Sequence, residues 1–292
     1  MSGRLSRGWA MAKASFAVLK RHPRLAVLPM ISGVVLWFVV GLIILSMVPV
    51  VVSGKANALG TDSTGQVVFY AAFFVALYVL TVIAVFFNAA LIFCALRVHA
   101  GEEPSIRAGL AAAAGRLPQI LGWALVSATV GVALSALQNM LKENLGFLGS
   151  LIGGLFEFGW TVVSYFVLPV LVVEGLGPIA ALRRSSGILR SKWGESLAGE
   201  ARFGLLGILF FLQALLLFFI GLALALSYGP TALAGLGPIL MTLGVLYGIT
   251  IVVVLQALGI IFQSGVYLYA TTGQVPPSLD PELVEGTFRP KQ

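Results

Sequence analysis

The sequence is poor in charged side chains. Only 10% of its 292 residues are charged, whereas 59% are hydrophobic, and an ordinary soluble domain has about 25% charged residues. This shortage excludes a soluble globular protein, a disordered chain and a nucleic-acid-binding domain, because too few charges remain to cover a water-facing surface. The mean hydropathy of +1.01 instead indicates an integral membrane protein.

Cysteine and histidine are also scarce. The single cysteine, Cys94, excludes a disulfide framework within one chain. His22 and His99 lie beside different apolar runs and have no metal-ligand partner at useful spacing. The sequence has no phosphate-binding loop, dinucleotide-binding motif, zinc-protease motif or nucleophile elbow. It therefore predicts no metal, no cofactor and no enzyme active site.

Six continuous apolar runs are long enough to cross a bilayer, for which about 20 residues are needed. Because backbone amides in lipid must pair within their own segment, these runs are expected to be helices. The predicted fold is an all-α polytopic membrane bundle, with one membrane domain over residues 1–271 and a cytoplasmic tail over 272–292. The predicted spans are residues 25–52, 66–96, 117–137, 147–173, 203–227 and 237–270.

Lysine and arginine are distributed unevenly between the two sides of these spans. Sixteen of the 18 fall in the N-terminal segment, the loops after spans two and four, and the tail. The opposite side holds only Lys55 and Lys142. Since cytoplasmic loops carry the excess of basic residues, both termini are predicted to lie in the cytoplasm.

A partly apolar, basic stretch precedes each odd-numbered span. Residues 14–23, 109–118 and 184–193 can be aligned with one another, which predicts three units of an interfacial helix followed by a transmembrane hairpin. The predicted apolar stripe of the third surface helix consists of Ile179, Leu182, Ser186, Leu189, Trp193 and Leu197. Pro23 and Pro118 are expected to end the surface helices, because proline disfavours helix at the preceding residue. The alternative is simple juxtamembrane anchoring without a repeat.

Glu157 is the only charged residue inside a predicted span. It lies about 15 Å deep, near the midplane, where an ionised carboxylate costs at least a few kcal/mol. It must therefore be protonated, paired or in contact with water. Two interpretations remain open: a proton or cation site, or a protonated acid that hydrogen-bonds to a neighbouring helix. Asn88 and Gln256 are expected to form hydrogen bonds between helices, with substrate contact as the alternative.

Two glycine pairs have the spacing that favours close helix packing. They are Gly149 with Gly153 at the start of span four, and Gly244 with Gly248 in span six.

The basic residues beside the spans are candidates for contact with anionic inner-leaflet lipids. Each contributes about 1 kcal/mol to such binding. The candidates are Lys20, Arg21, Arg24, Arg183, Arg184, Arg190 and Lys192.

Several blocks together resemble a family of uncharacterised bacterial six-span membrane proteins of unknown function. The blocks are residues 16–32, 86–91, 167–178, 181–186, 193–195 and 272–276. The chain is also distantly similar to the membrane domain attached to some glycerophosphodiester phosphodiesterases. The resemblance implies six spans and a bacterial inner membrane, and it brings no catalytic residues.

The residues favour a non-enzymatic inner-membrane protein that acts in membrane organisation, in lipid interaction or as a partner of other membrane proteins. Expected partners are anionic lipids, further copies of the chain or other membrane proteins, and not nucleic acid. The alternative is a transporter or channel that uses Glu157. A third option is an accessory domain to an enzyme encoded elsewhere.

Overall fold

The computed structural model describes residues 15–52, 63–191, 196–226 and 232–273. All regular elements in these ranges are helical, so the all-α prediction is confirmed. Residues 15–21 are helical and a 3-10 turn covers Pro23–Ala26. Eight α-helices follow: α1 (Val27–Val52), α2 (Ser63–His99), α3 (Ile106–Gly115), α4 (Leu117–Ser164), α5 (Val167–Val173), α6 (Pro178–Ser191), α7 (Ser196–Leu226) and α8 (Ala232–Thr272). The predicted tail begins at residue 272 and lies almost entirely outside the described residues.

Five helical stretches in the described part of the chain are long and apolar enough to cross a membrane. They are Pro23–Ser46, Thr64–His99, Leu117–Val173, Gly207–Leu226 and Leu236–Thr272. Large apolar side chains are exposed along them, Trp37 and Phe38 in α1 among others. Such side chains are stable facing lipid and would be unfavourable facing water, so the structure agrees with a membrane protein.

The chain divides into two compact units. One comprises the described parts of Met1–Ala26, His99–Gly101 and Lys192–Gln292, and the other comprises Val27–Val98 and Glu102–Ser191.

In the second unit, α4 reverses direction at Gly146. This glycine has φ +56° and ψ −126°, a conformation that lies outside the helical region and that glycine adopts readily. The 48 residues of α4 would extend about 72 Å as one rod, more than twice the thickness of the hydrocarbon core. The break divides them into two segments that pack against each other, with the Trp123 and Trp160 rings stacked at 5.7 Å.

The two segments of α4 approach closely at the predicted glycine pair. A Cβ atom at Gly149 would overlap the carbonyl group of Leu141, and one at Gly153 would lie 2.8 Å from Cγ of Gln138. The packing predicted for this pair is confirmed. Residues 138–145, which lie between predicted spans three and four, are helical up to the reversal at Gly146. The helix continues to Gly146 because most of the intervening residues are good helix formers.

In the first unit, α7 and α8 form an extensively packed pair. A Cβ atom at Gly244 would lie 2.8 Å from the backbone nitrogen of Phe218, and one at Gly221 would lie 2.6 Å from that of Met241. Gly248 has ordinary van der Waals space, since its Cβ would lie 3.5 Å from Cβ of Ala214. Glycine therefore brings these helices together, and Gly244 is the closer of the two predicted positions.

Both prolines that were expected to end surface helices lie at such boundaries. Helical residues 15–21 precede Pro23, which begins the 3-10 turn. Helix α3 ends at Gly115, and Pro118 is the second residue of α4. Pro29 lies in the first turn of α1, where its missing N–H has no helical partner to lose.

Candidate functional site

Three left-handed glycines follow the ends of long apolar helical stretches. Gly101, Gly175 and Gly273 have φ of +80°, +65° and +73°, the conformation that terminates many helices. Each is the first residue of a Gly-x-x-Pro sequence, which closes at Pro104, Pro178 and Pro276. The sequence reasoning missed this signal, although the spacing is readable in the sequence.

The aligned surface stretches bury corresponding positions. Ser15 and Ser185 are both fully buried, and Val18, Ala113 and Ile188 are buried at one shared position. Two residues beyond the end of the first and second aligned stretches, the chain lies at the start of the following span. There Leu25 corresponds to Ile120, and both are buried. Together with the recurring turns, this agreement supports the predicted internal repeat over anchoring without a repeat.

Each surface segment packs against a span of its own unit. The 3-10 turn Pro23–Ala26 contacts α8. Helix α3 lies against α2, where a Cβ at Gly109 would be 2.6 Å from Sγ of Cys94 and 2.8 Å from the carbonyl oxygen of Ala90. The Cys94 thiol donates to the carbonyl of Ser105 at 3.4 Å. The cysteine is thus part of a close helix contact.

Helix α6 packs against α4 and α5 through a buried serine. Ser185 Oγ donates to the carbonyl oxygen of Val163 at 2.7 Å and accepts from the backbone N–H of Phe166 at 3.0 Å. These groups lie where the helix is interrupted between α4 and α5. The serine therefore supplies hydrogen bonds at a break in predicted span four.

The buried face of α6 differs from the predicted stripe. Its buried residues are Ala181, Ser185, Ile188 and Leu189, whereas Ile179 is 54% exposed. The stripe was expected to face lipid, so the exposed Ile179 agrees with it, while Ser185 lies outside the stripe and is buried because it bonds the backbone of another helix. Trp193, the fifth residue of the predicted stripe, lies outside the described residues.

Acidic partners neutralise some of the basic residues beside these turns. Arg184 Nε lies 3.1 and 3.2 Å from the two carboxylate oxygens of Glu174, and Arg97 Nη2 lies 2.6 Å from Oε2 of Glu102. The Arg116 guanidinium covers Gly175, where a Cβ would lie 2.7 Å from Cζ. Of the predicted lipid-facing cations, Arg184 is therefore the one with a carboxylate partner in the described structure.

The other predicted cations point outward. Lys20, Arg21 and Arg24 are exposed in the first unit, and Arg183 and Arg190 are exposed in the second. Within the described ranges none of the five forms an ion pair. Lys192 lies outside the described residues.

The polar residues inside the spans have different surroundings. Asn88 and Gln256 are half-buried and each has an interaction partner, which fits hydrogen bonding between helices. Glu157 is exposed, beside Phe156 and Phe158, which are 53% and 59% exposed. Its carbonyl oxygen accepts from Thr161 Oγ1 at 3.0 Å, while its carboxyl has no partner among the described side chains. Transport through Glu157 stays a prediction.

Among the residues that the structure describes, no three His, Cys, Asp or Glu side chains are grouped so that they could hold a metal ion.

A family model described as a family of unknown function (DUF6159) matches residues 64–276, nearly three quarters of the chain. No curated protein and no solved structure matches. The similarity to the membrane domain of glycerophosphodiester phosphodiesterases and the bacterial origin stay predictions.

Proposed function

The chain belongs to the DUF6159 family of unknown function, and we propose from its own surface that it is a non-enzymatic membrane protein that binds anionic lipid headgroups. In this proposal the basic surface segments hold inner-leaflet lipids beside the spans. The protein thereby organises the surrounding membrane or positions a membrane partner.

The proposed topology has six crossings, with both termini in the cytoplasm of a bacterium. Five apolar stretches are long enough to span, and the reversal of α4 at Gly146 makes two crossings of one stretch. Six crossings return the chain to its starting side. The uneven distribution of Lys and Arg along the sequence supports the cytoplasmic assignment.

The observation that carries the proposal is the division of α6 into two faces. Its inward face is buried through Ala181, Ser185 and Ile188, while Arg183 and Arg190 are exposed. Because the buried face fixes the helix against α4 and α5, the two guanidinium groups are held at the surface. A guanidinium presents a planar fork of donors that matches a phosphate group, so lipid phosphates are suitable ligands.

The ion pair between Arg184 and Glu174 reduces the number of arginines on α6 that are available to bind lipid. Arg184 is bonded to both carboxylate oxygens of Glu174, so this pair contributes little net charge to the surface. In the first unit, Lys20, Arg21 and Arg24 offer a second exposed basic segment. The proposal therefore assigns lipid binding to Arg183 and Arg190 and to this N-terminal segment, with Arg184 in a structural role.

Native mass spectrometry of the purified full-length chain tests the proposal. Phosphatidylglycerol and phosphatidylcholine are added in turn, and the lipid-bound fractions are compared. We expect the chain to prefer phosphatidylglycerol. The double variant Arg183→Gln/Arg190→Gln should bind it about 30-fold more weakly, since each basic residue contributes about 1 kcal/mol.

The double variant Glu174→Gln/Arg184→Gln is the matched control, because it removes one charge of each sign and leaves the net charge unchanged. It should retain the affinity for phosphatidylglycerol. Equal binding of the two lipids by the wild-type chain, or undiminished binding by the Arg183→Gln/Arg190→Gln variant, would contradict the proposal.

A further inference from the structure

The exposed side of α6 carries two arginines that are seven residues apart. Because seven residues make almost two full turns, Arg183 and Arg190 share one side of the helix and lie about 10.5 Å apart along its axis. Both are exposed, and neither forms an ion pair within the described ranges. Arg184, the third arginine of the helix, is bonded to Glu174. Two separate cationic groups therefore remain on this side of α6.

Gly187 lies between the two arginines on the same side of the helix. It follows Arg183 by four residues and precedes Arg190 by three. It is exposed, and a Cβ atom there would meet nothing within 4 Å. A glycine inside a helix is less stable than an alanine, and no close contact within the described chain requires one at this position. Its effect is to leave a gap between the two arginine side chains that is open from outside.

The spacing of the two arginines suits two phosphate groups better than one. Side chains on a helix lean in the same direction, toward its N-terminus, so those of Arg183 and Arg190 keep the separation of their backbone atoms. A hydrogen bond from a guanidinium to an anion spans only about 2.7–2.9 Å. The pair is therefore complementary to two phosphates on a short linker, with one phosphate at each arginine and the linker over Gly187.

We propose that α6 binds a lipid with two phosphates in its headgroup, of the diphosphatidylglycerol type, across Arg183, Gly187 and Arg190. The proposal rests on the function proposed above and names the lipid class of the same site. A basic surface helix lies in the headgroup plane, along which the two phosphates of diphosphatidylglycerol, joined by one glycerol, are displaced from each other. Phosphatidylglycerol has a single phosphate, so one molecule bonds to one guanidinium and is attracted to the other only from a distance.

Native mass spectrometry of the full-length chain compares diphosphatidylglycerol with phosphatidylglycerol, and phosphatidylcholine measures the background. The parent is the Lys20→Gln/Arg21→Gln/Arg24→Gln variant, because it lacks the other exposed basic segment. We expect the parent to bind diphosphatidylglycerol about fivefold more tightly than phosphatidylglycerol, since the second phosphate gains a contact with one further arginine. Adding Arg183→Gln/Gly187→Arg keeps the net charge and places the two arginines three residues apart. This variant should retain phosphatidylglycerol binding, which shows that it is folded, and lose most of the preference.

Gly187→Leu in the same parent should also lower the preference, because its side chain fills the gap at unchanged charge. Gly115→Leu is the matched control. Gly115 is likewise exposed with nothing within 4 Å of its Cβ position, and it belongs to surface helix α3, which has no pair of arginines at this spacing. Its replacement should leave the preference unchanged.

Equal binding of the two anionic lipids by the parent, each more tightly than phosphatidylcholine, would overturn this inference and leave the proposed function intact. A preference that persists in the Arg183→Gln/Gly187→Arg and Gly187→Leu variants would overturn it as well, because the number of cations and not their spacing would then decide. So would a preference that Gly115→Leu lowers as much as Gly187→Leu does. Equal binding of all three lipids by the wild-type chain would overturn the proposed function itself, and this inference with it.

Discussion

The hydroxyl of Ser185 accepts a hydrogen bond from the backbone N–H of Phe166 at a distance of 3.0 Å. Phe166 lies between the end of α4 and the start of α5, where the helix of predicted span four is interrupted. Both residues are fully or almost fully buried. A backbone donor in such a place costs several kcal/mol if it has no partner. Docking of α6 and the interruption of the span are therefore linked through one hydroxyl group.

Ser185→Ala should destabilise the protein by about 1–3 kcal/mol, because it removes a partner from the Val163 carbonyl and the Phe166 amide. Ser186→Ala is the matched control. Ser186 bonds only within its own helix, to the carbonyl of Arg183 at 2.8 Å, and its replacement should change stability by less than about 0.5 kcal/mol. Thermal unfolding in detergent compares the two variants, and equal stabilities would contradict the role given to Ser185.

Gly149→Ala and Gly153→Ala should destabilise the α4 hairpin by about 1–3 kcal/mol each, since their methyl groups would collide with Leu141 and Gln138. Gly149→Ala should cost more, because the obstacle there is backbone. Gly159→Ala, in the same segment, meets nothing within 4 Å and should be neutral or stabilise by up to about 1 kcal/mol. Loss of stability in the Gly159→Ala variant equal to that of Gly149→Ala would refute the close approach described for Gly149.

Gly175→Ala should destabilise more than Gly101→Ala. Both glycines have positive φ, which costs about 1–2 kcal/mol for alanine. A methyl group at Gly175 also displaces the Arg116 guanidinium, the end of a flexible side chain, which adds a small further cost, whereas Gly101 has open space. Adding Arg116→Ala should bring the cost of Gly175→Ala down to that of Gly101→Ala. A double-mutant cycle in detergent measures this coupling, and additive effects would show that Arg116 does not crowd the turn.

Single cysteines in a Cys94→Ala background test the proposed topology. Asn144→Cys, next to the reversal of α4, should react with a membrane-impermeant thiol reagent added to intact cells. Gly187→Cys, on the exposed surface of α6, should react only after the membrane is permeabilised. The opposite labelling pattern would invert the predicted orientation, and labelling of both sites in intact cells would contradict the crossing between them.

The spans were predictable because their signal is local. Helices α1, α2, α7 and α8 contain the predicted runs to within a few residues, apart from the 3-10 turn at the start of span one. The glycine pairs were predictable for a similar reason, since a missing side chain favours close packing whichever helix approaches. The Gly-x-x-Pro turns could also have been found, because Gly101, Gly175 and Gly273 recur at one spacing.

Other features depend on contacts that no local pattern contains. The sequence predicts that the Glu157 carboxyl lies near the membrane midplane, and only the packing of α4 shows that the side chain is exposed. Arg183 and Arg184 are equivalent in the sequence, and only the fold brings Glu174 to Arg184. Hydropathy also predicted an unbroken span four, although the helix is interrupted next to Ser185.

The sequence alone determined the all-helical membrane fold, since hydrocarbon requires long apolar segments with internally paired backbones. The tertiary structure decided which polar groups form hydrogen bonds or ion pairs within the protein and which face outward. The hydroxyl of Ser185 accepts a hydrogen bond from the backbone of Phe166, and Arg184 forms an ion pair with Glu174, while Arg190 and Glu157 are exposed. The reason is that hydrogen bonds and ion pairs act over a few ångströms, so their partners are set by packing between helices and not by neighbours in the chain.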